Sequence, residues 1–180
     1  MNDADAKMGK SVEATREDFA TIRAGRANPA MFAKITADYY GTQTPLQQLA
    51  SFTSQDARTI LIQPFDIGAM GNIERAIRDS DLGVNPANDG KVLRCVFPEL
   101  TEERRKEFIK LARAKAEDGR VSVRNVRRTA KQALEKLEKD GEVGKDDVTG
   151  AEKRLDALTK THTDTIDELL KHKEAELLEV

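Results

Sequence analysis

The chain has very little with which to build a conventional enzyme pocket. Aromatics make up 4% of its 180 residues and there is no tryptophan, whereas a deep small-molecule site is usually walled by aromatic side chains. One cysteine, Cys95, excludes an intrachain disulfide and any multi-cysteine metal site. It lies in an apolar run, where a buried, inert thiol is expected. No stretch approaches the roughly 18 apolar residues of a membrane span. The first ten residues lack the apolar core of a signal peptide, and a cytoplasmic protein with no membrane partner is expected. There is no Walker A loop and no G-x-G-x-x-G, so no nucleotide cofactor is indicated. The two histidines do not help: His162 falls at a helix-packing position, and His172 sits among Lys171, Lys173 and Glu174, which is no metal-ligand arrangement. No catalytic constellation emerges, and a non-enzyme is expected.

What the chain does have is charge, at 34% of residues, and it is unevenly placed. From Arg104 to Lys131 eleven Lys/Arg stand against three Asp/Glu, a local net of +8. From Glu135 to Val180 eight stand against fourteen, a local net of −6. The overall charge of −2 hides this polarity, so any nucleic-acid binding must come from a patch.

The periodicity divides the chain into three textures. Met8, Val12, Thr15, Phe19 and Ile22 mark one face of a first helix over about 2–24, which Gly25, Asn28 and Pro29 end. From Met31 to Pro98 the pattern changes. Strands are expected at 34–40, 50–53, 58–63 and 91–97, rich in β-branched residues, with a helix over 67–79 carried by Ile67, Met70, Ile73 and Ile77. Thr101 then caps a long helix running to about Asp140. Ile109, Ala112, Ala116, Gly119, Val123, Val126, Ala130, Ala133 and Leu137 repeat at spacings of 3 and 4 along it. Gly119 reads as its weak point, since glycine inside a helix costs about 1 kcal/mol relative to alanine. After a turn at 140–145 a third helix carries Val148, Ala151, Leu155, Leu158, His162, Ile166, Leu169 and Leu177. The expected fold is α+β: a discontinuous three-helix bundle from 1–28 and 102–180, with a small α/β domain inserted at 29–101. The two crossings, Ala27, Asn28 and Pro29 on one side and Glu99, Leu100 and Thr101 on the other, make a natural hinge.

The long helix carries the feature of most functional interest. At about 100° per residue, Lys106, Arg113, Arg120, Arg124, Arg127 and Lys131 fall within an arc of roughly 60°, along about 38 Å of helix. No acidic residue lies between Gly119 and Leu134. Two readings stay open. The stripe is a solvated face balanced across the bundle by acids of the third helix, or it is a rail for phosphates, to which the guanidinium fork is suited. Tyr39 and Tyr40 offer stacking surfaces, although strand alternation turns one of them toward the core. A helical adaptor gripping a protein partner is the competing functional class.

Seven segments together resemble the bacterial ribosome recycling factor family: Thr21–Pro29, Asp38–Thr42, Pro45–Ala50, Ser80–Pro86, Leu100–Arg105, Val121–Arg128 and Lys173–Leu177. They cover nearly the whole chain in order. The resemblance implies an L-shaped monomer, a three-helix bundle and a smaller α/β domain joined by a flexible elbow. It implies binding to the large ribosomal subunit and its RNA after termination, and subunit splitting together with elongation factor G, the partner that hydrolyses GTP. It also implies that long-helix arginines meet ribosomal RNA, a role carried here onto Arg124, Arg127 and Arg128 with Arg105 as a further candidate. The helical geometry extends the set to Arg113, Arg120 and Lys131. Two departures stand out: a start several residues short of the family's usual one, and Gly119 directly before the stripe.

Overall fold

In the computed structural model, which describes residues 1–179, three long helices and a small sheet account for most of the chain. By contacts the chain divides into two compact units. One is built from Met1–Phe19 and Ile109–Ala175, the other from Ala20–Phe108 with the residues from Glu176 onward.

The helical unit contains most of α1 (Asn2–Thr21), α4 (Glu102–Lys139) and α5 (Lys145–Leu178). Thr101 Oγ1 accepts from Arg104 N at 3.2 Å and caps α4, whose first turn holds Glu102 and Glu103 at the positive end of the helix dipole. At the other end Gly141 adopts φ 75°, Gly141 N donates to Glu138 O, and Glu142 N donates to Leu137 O. That pair of bonds satisfies the last carbonyls of the helix and turns the chain into α5.

Small residues form the α4 seam, as the spacing indicates: Ala112, Ala116, Gly119 and Val123 are buried. Gly119 is not a weak point. A Cβ built there would lie 2.2 Å from Thr15 Oγ1 and 3.2 Å from Ile166 Cδ1, so the missing side chain is what lets α1 and α5 close on α4. Beyond Val123 the seam opens: Val126 and Ala130 are half-buried and Ala133 is exposed. Length accounts for Ala133. The 20 residues of α1 reach about 30 Å while the 38 of α4 reach about 57 Å, so the far end of α4 has only α5 to pack on. His162 is a packing histidine: its Nε2 lies 2.7 Å from Asp5 Oδ1, joining α5 to α1.

The second unit is sheet-based. β1 (Thr36–Tyr39) and β2 (Thr42–Pro45) form an antiparallel hairpin. Its Tyr40-Gly41 turn has positive φ at both positions, 49° and 84°, the twist that a two-residue hairpin loop requires. A four-residue helix, α2 (Leu46–Leu49), leads into β3 (Ala50–Ser54) and β4 (Thr59–Pro64). After α3 (Met70–Arg78), β5 (Ala87–Asn88) and β6 (Leu93–Val96) complete an antiparallel sheet of order β3-β4-β6-β5.

Phe32, Leu46, Ile60, Ile62, Ile73, Ile77, Leu93 and Cys95 are fully buried and form the core of this unit. Burying one such aliphatic side chain contributes about 1.5–3 kcal/mol. Two expectations need correction. Ile67 is 68% exposed, because Asp66 caps a short 3₁₀ turn there and the α3 face begins only at Met70. The strands expected from the sequence leave out 42–45, yet β2 pairs with β1 from Thr42 to Pro45.

Candidate ribosomal RNA interface

The six basic residues of the α4 stripe do line one edge of the helix, but each is paired with an acid. Arg113 Nε bonds Glu174, Arg120 Nε bonds Asp167 at 2.8 Å, and Arg127 Nε bonds Asp156 at 2.7 Å. Lys131 lies 3.6 Å from Glu152. Those four acids project from α5 at spacings of 4, 11 and 7, which places them within roughly 60° of one another on that helix. Glu117 supplies a second layer from within α4, reaching Arg120 at 2.8 Å and Arg124 at 3.0 Å. Lys106 pairs one turn back with Glu102 at 2.9 Å.

Of the two open readings of the stripe's charge balance, the cross-bundle one therefore describes the free protein. The local absence of acids in α4 is made good by α5. The depth of engagement varies along the rail. The Arg120 side chain is only 21% exposed, whereas Arg113 and Arg124 stay more than half exposed. Burial alone would lower the Arg120 pKa; its bonds to Asp167 and Glu117 outweigh that and raise it. Arg120 first, and then Arg124, hold the Glu117 carboxyl below the usual range.

Two cations on this side of α4 have no ion-pair partner among the described residues, Arg128 and Lys110, and both are exposed. Arg128 was expected from the Val121–Arg128 match. Lys110 was passed over, although on the helical wheel it lies only about 40° from Lys106 and its angle coincides with that of Arg128. Arg105 stands apart: it is half-buried on the first turn of α4, and its Nε has no hydrogen-bond partner. Tyr39 packs against the sheet core while Tyr40, in the hairpin turn and not in the strand, is 84% exposed, and both hydroxyls donate to Asp66 Oδ2.

Comparison with known proteins bears on what such a surface serves. The ribosome recycling factor family profile matches residues 15–178. The chain belongs to this family. The ribosome-recycling factor of Nocardioides sp. is 78% identical over all 180 residues, covering 97% of that protein. That of Kocuria rhizophila is 64% identical over 178 residues, covering 99% of this chain and 96% of its relative. A solution structure of the ribosome recycling factor superposes with a TM-score of 0.77 at 38% identity, over 99% of this chain and 95% of the other. The Thermus thermophilus ribosome recycling factor, placed with elongation factor G on the Escherichia coli post-termination complex, gives a TM-score of 0.66 at 42% identity, over 99% and 96% of the two chains. The α+β class of long helices plus a small sheet unit agrees with these relatives, and the competing adaptor reading gives way to a translation factor.

The residues expected at the hinge are firmly placed. Ala27 is buried and its N donates to Ala57 O at 2.8 Å. Asn28 Oδ1 accepts from Ala30 N at 2.9 Å, capping a 3₁₀ turn that starts at Pro29. All three are thereby tied into the sheet unit. Glu99 reaches Arg58 only at 3.8 Å, Leu100 is half-buried, and Thr101 belongs to α4 as its cap. No helix among the described residues is long and apolar enough to cross a membrane, and they contain no cluster of His, Cys, Asp or Glu suited to a metal ion.

Proposed function

We propose that this member of the ribosome recycling factor family binds the large ribosomal subunit in the cytoplasm after termination, laying the basic edge of α4 on ribosomal RNA. Together with elongation factor G it then splits the post-termination ribosome into subunits. This chain supplies binding and leverage, and the GTPase supplies the chemistry. The observation that carries the reading is the family match over residues 15–178, including the Val121–Arg128 segment that bears Arg124, Arg127 and Arg128.

The proposed contact begins with the unpaired cations. Arg128 and Lys110 meet phosphates first. Arg124, Arg127, Arg113, Arg120 and Lys131 then exchange a carboxylate partner for a phosphate, keeping a charge-assisted bond throughout. Arg105 extends the contact toward the start of α4. Movement about the irregular connections that flank the pinned residues, at 24–26 and 98–100, lets the sheet unit take the push of the GTPase while the rail stays anchored.

Co-sedimentation with purified large subunits across a salt series tests the anchor. Arg127→Ala should weaken binding and reduce the salt slope by about one phosphate equivalent. If the Arg124, Arg127 and Arg128 triple alanine variant bound with unchanged affinity and slope, α4 would not be the anchor.

A further inference from the structure

The three most exposed large apolar side chains among the described residues gather around one carboxylate of the sheet unit. Tyr40 is 84% exposed, Phe65 70% and Ile67 68%. Phe65 and Ile67 flank Asp66 in the chain, and the Tyr40 hydroxyl donates to Asp66 Oδ2 at 3.4 Å. The Tyr39 hydroxyl donates to the same oxygen at 3.1 Å, and the two tyrosine rings stand edge to face, 4.6 Å apart. Backbone bonds fix the rest: Gly68 N donates to Asp66 Oδ1 at 2.8 Å and Phe65 N to Leu49 O at 3.0 Å. A single exposed apolar residue is ordinary, whereas three held at one place mark a surface for a partner.

Tyr40 also carries strain that its own fold does not reward. It is the one non-glycine residue with positive φ among the described residues, at 49°. Asn, Asp or Gly normally takes this first position of a two-residue hairpin turn, because a larger side chain crowds the backbone there. Burial does not offset the strain, since the side chain is mostly in water. Strain of this kind persists where the side chain serves a contact made outside the fold.

Position and charge define the partner that fits. β4 starts beside Ala57, whose carbonyl holds Ala27 at the connection, and runs six residues to Pro64. At about 3.3 Å per residue, the patch stands roughly 20 Å from that connection. Asp66 has no ion-pair partner among the described residues, and neither has Asp38, exposed two residues before Tyr40. Uncompensated carboxylates repel a phosphate backbone, so RNA is the wrong occupant. They suit a protein surface on which a Lys or Arg stands among apolar side chains.

We propose that Tyr40, Phe65 and Ile67, around Asp66, form the surface on which elongation factor G docks. A Lys or Arg of that protein pairs with Asp66, and its apolar side chains cover the other three. The inference rests on the proposed function, in which this GTPase pushes on the sheet unit. A push delivered here acts on an arm of roughly 20 Å about the connection, which turns a small force into rotation of the whole unit.

The experiment measures splitting of post-termination ribosomes by the full-length protein with GTP, over a range of elongation factor G concentrations. Co-sedimentation with large subunits runs in parallel. The double variant Tyr40→Asn, Phe65→Ser should need about tenfold more of the GTPase for half-maximal rate, as loss of central apolar anchors does. Its maximal rate and its large-subunit binding should be unchanged. Phe65→Ser alone, a change at an exposed side chain, carries the same test if the double variant melts early. An unchanged half-maximal concentration overturns the proposal and leaves the proposed function standing. Weaker ribosome binding with the same half-maximal concentration also overturns it, because the patch then touches the ribosome. Self-association of the unmodified protein that the variant abolishes would give the patch to a second copy instead. No splitting by the unmodified protein at any GTPase concentration would remove the proposed function itself.

Discussion

At the scale of single residues, Gly119 and Cys95 show how much the surroundings decide. Considered alone, Gly119→Ala should strengthen α4 by about 1 kcal/mol through helix propensity. In the bundle the added methyl meets Thr15 Oγ1 at 2.2 Å, and Thr15 cannot turn away without giving up its 3.0 Å bond to Ser11 O. Overpacking of this kind costs about 1–3 kcal/mol, so the net effect should be destabilising. Urea denaturation measures it, and the double variant with Thr15→Ala should recover most of the loss. A stabilised Gly119→Ala single variant would show that α1 does not press on α4 here. Cys95 is fully buried, and burial pushes its thiol up from 9.0 to about 12. The folded state thus disfavours the thiolate. This leaves stability intact below pH 9 and erodes it as the pH climbs from 9 toward 12, where the unfolded chain releases the proton that the folded chain retains. A neutral thiol reagent should label Cys95 at pH 8 only in denaturant. Rapid labelling of the native protein would contradict the burial.

At the scale of elements, the proposed RNA contact makes the acids of α5 stand-ins for phosphate. Glu152, Asp156, Asp167 and Glu174 occupy the cations that RNA would need, so binding competes with an internal partner. Exposed pairs of this sort add little to stability, and their main effect is to moderate the pull of the rail. The combined variant Asp156→Asn, Asp167→Asn and Glu174→Gln should bind large subunits about tenfold tighter at 0.15 M salt, with a steeper salt slope and nearly unchanged melting. Equal or weaker binding by this variant would mean that the acids orient the arginines for RNA instead of competing with it. None of this competition was legible in α4 by itself. The periodicity of Ala112, Ala116, Gly119 and Val123 disclosed the seam, because small residues at helical spacing have one natural use. The partners of Arg120 and Arg127 lie 47 and 29 residues away, and only the packing of two helices brings them into register. The strands divide in the same way. β4 and β6 announced themselves through Ile60, Leu61, Ile62 and Leu93, whereas β2, Thr-Gln-Thr-Pro, has no apolar alternation and exists because β1 pairs with it.

At the scale of the whole molecule, the proposed mechanism separates holding from pushing, and the two connections are where these can be uncoupled. Ala27 and Asn28 are pinned to the sheet unit by backbone and capping bonds, and Ile22 and Arg23 are buried, so the proposed freedom on that side belongs to the irregular stretch at 24–26. On the other side the stretch at 97–100 has no regular structure before Thr101 caps α4. Inserting Gly-Gly after Gly25 and again after Glu99 leaves every residue of the rail in place. It lengthens both connections, and a glycine-rich link transmits force poorly because it first extends as a coil. Large-subunit binding and its salt slope should therefore match the unmodified protein, while the rate of subunit splitting with elongation factor G and GTP should fall about tenfold or more. The pairing of the two measurements decides the matter. Slower splitting with intact binding assigns the connections a mechanical role, because occupancy of the ribosome has not changed. Splitting at full rate with intact binding would mean that the push does not travel through them, and that the factor works by where it binds alone.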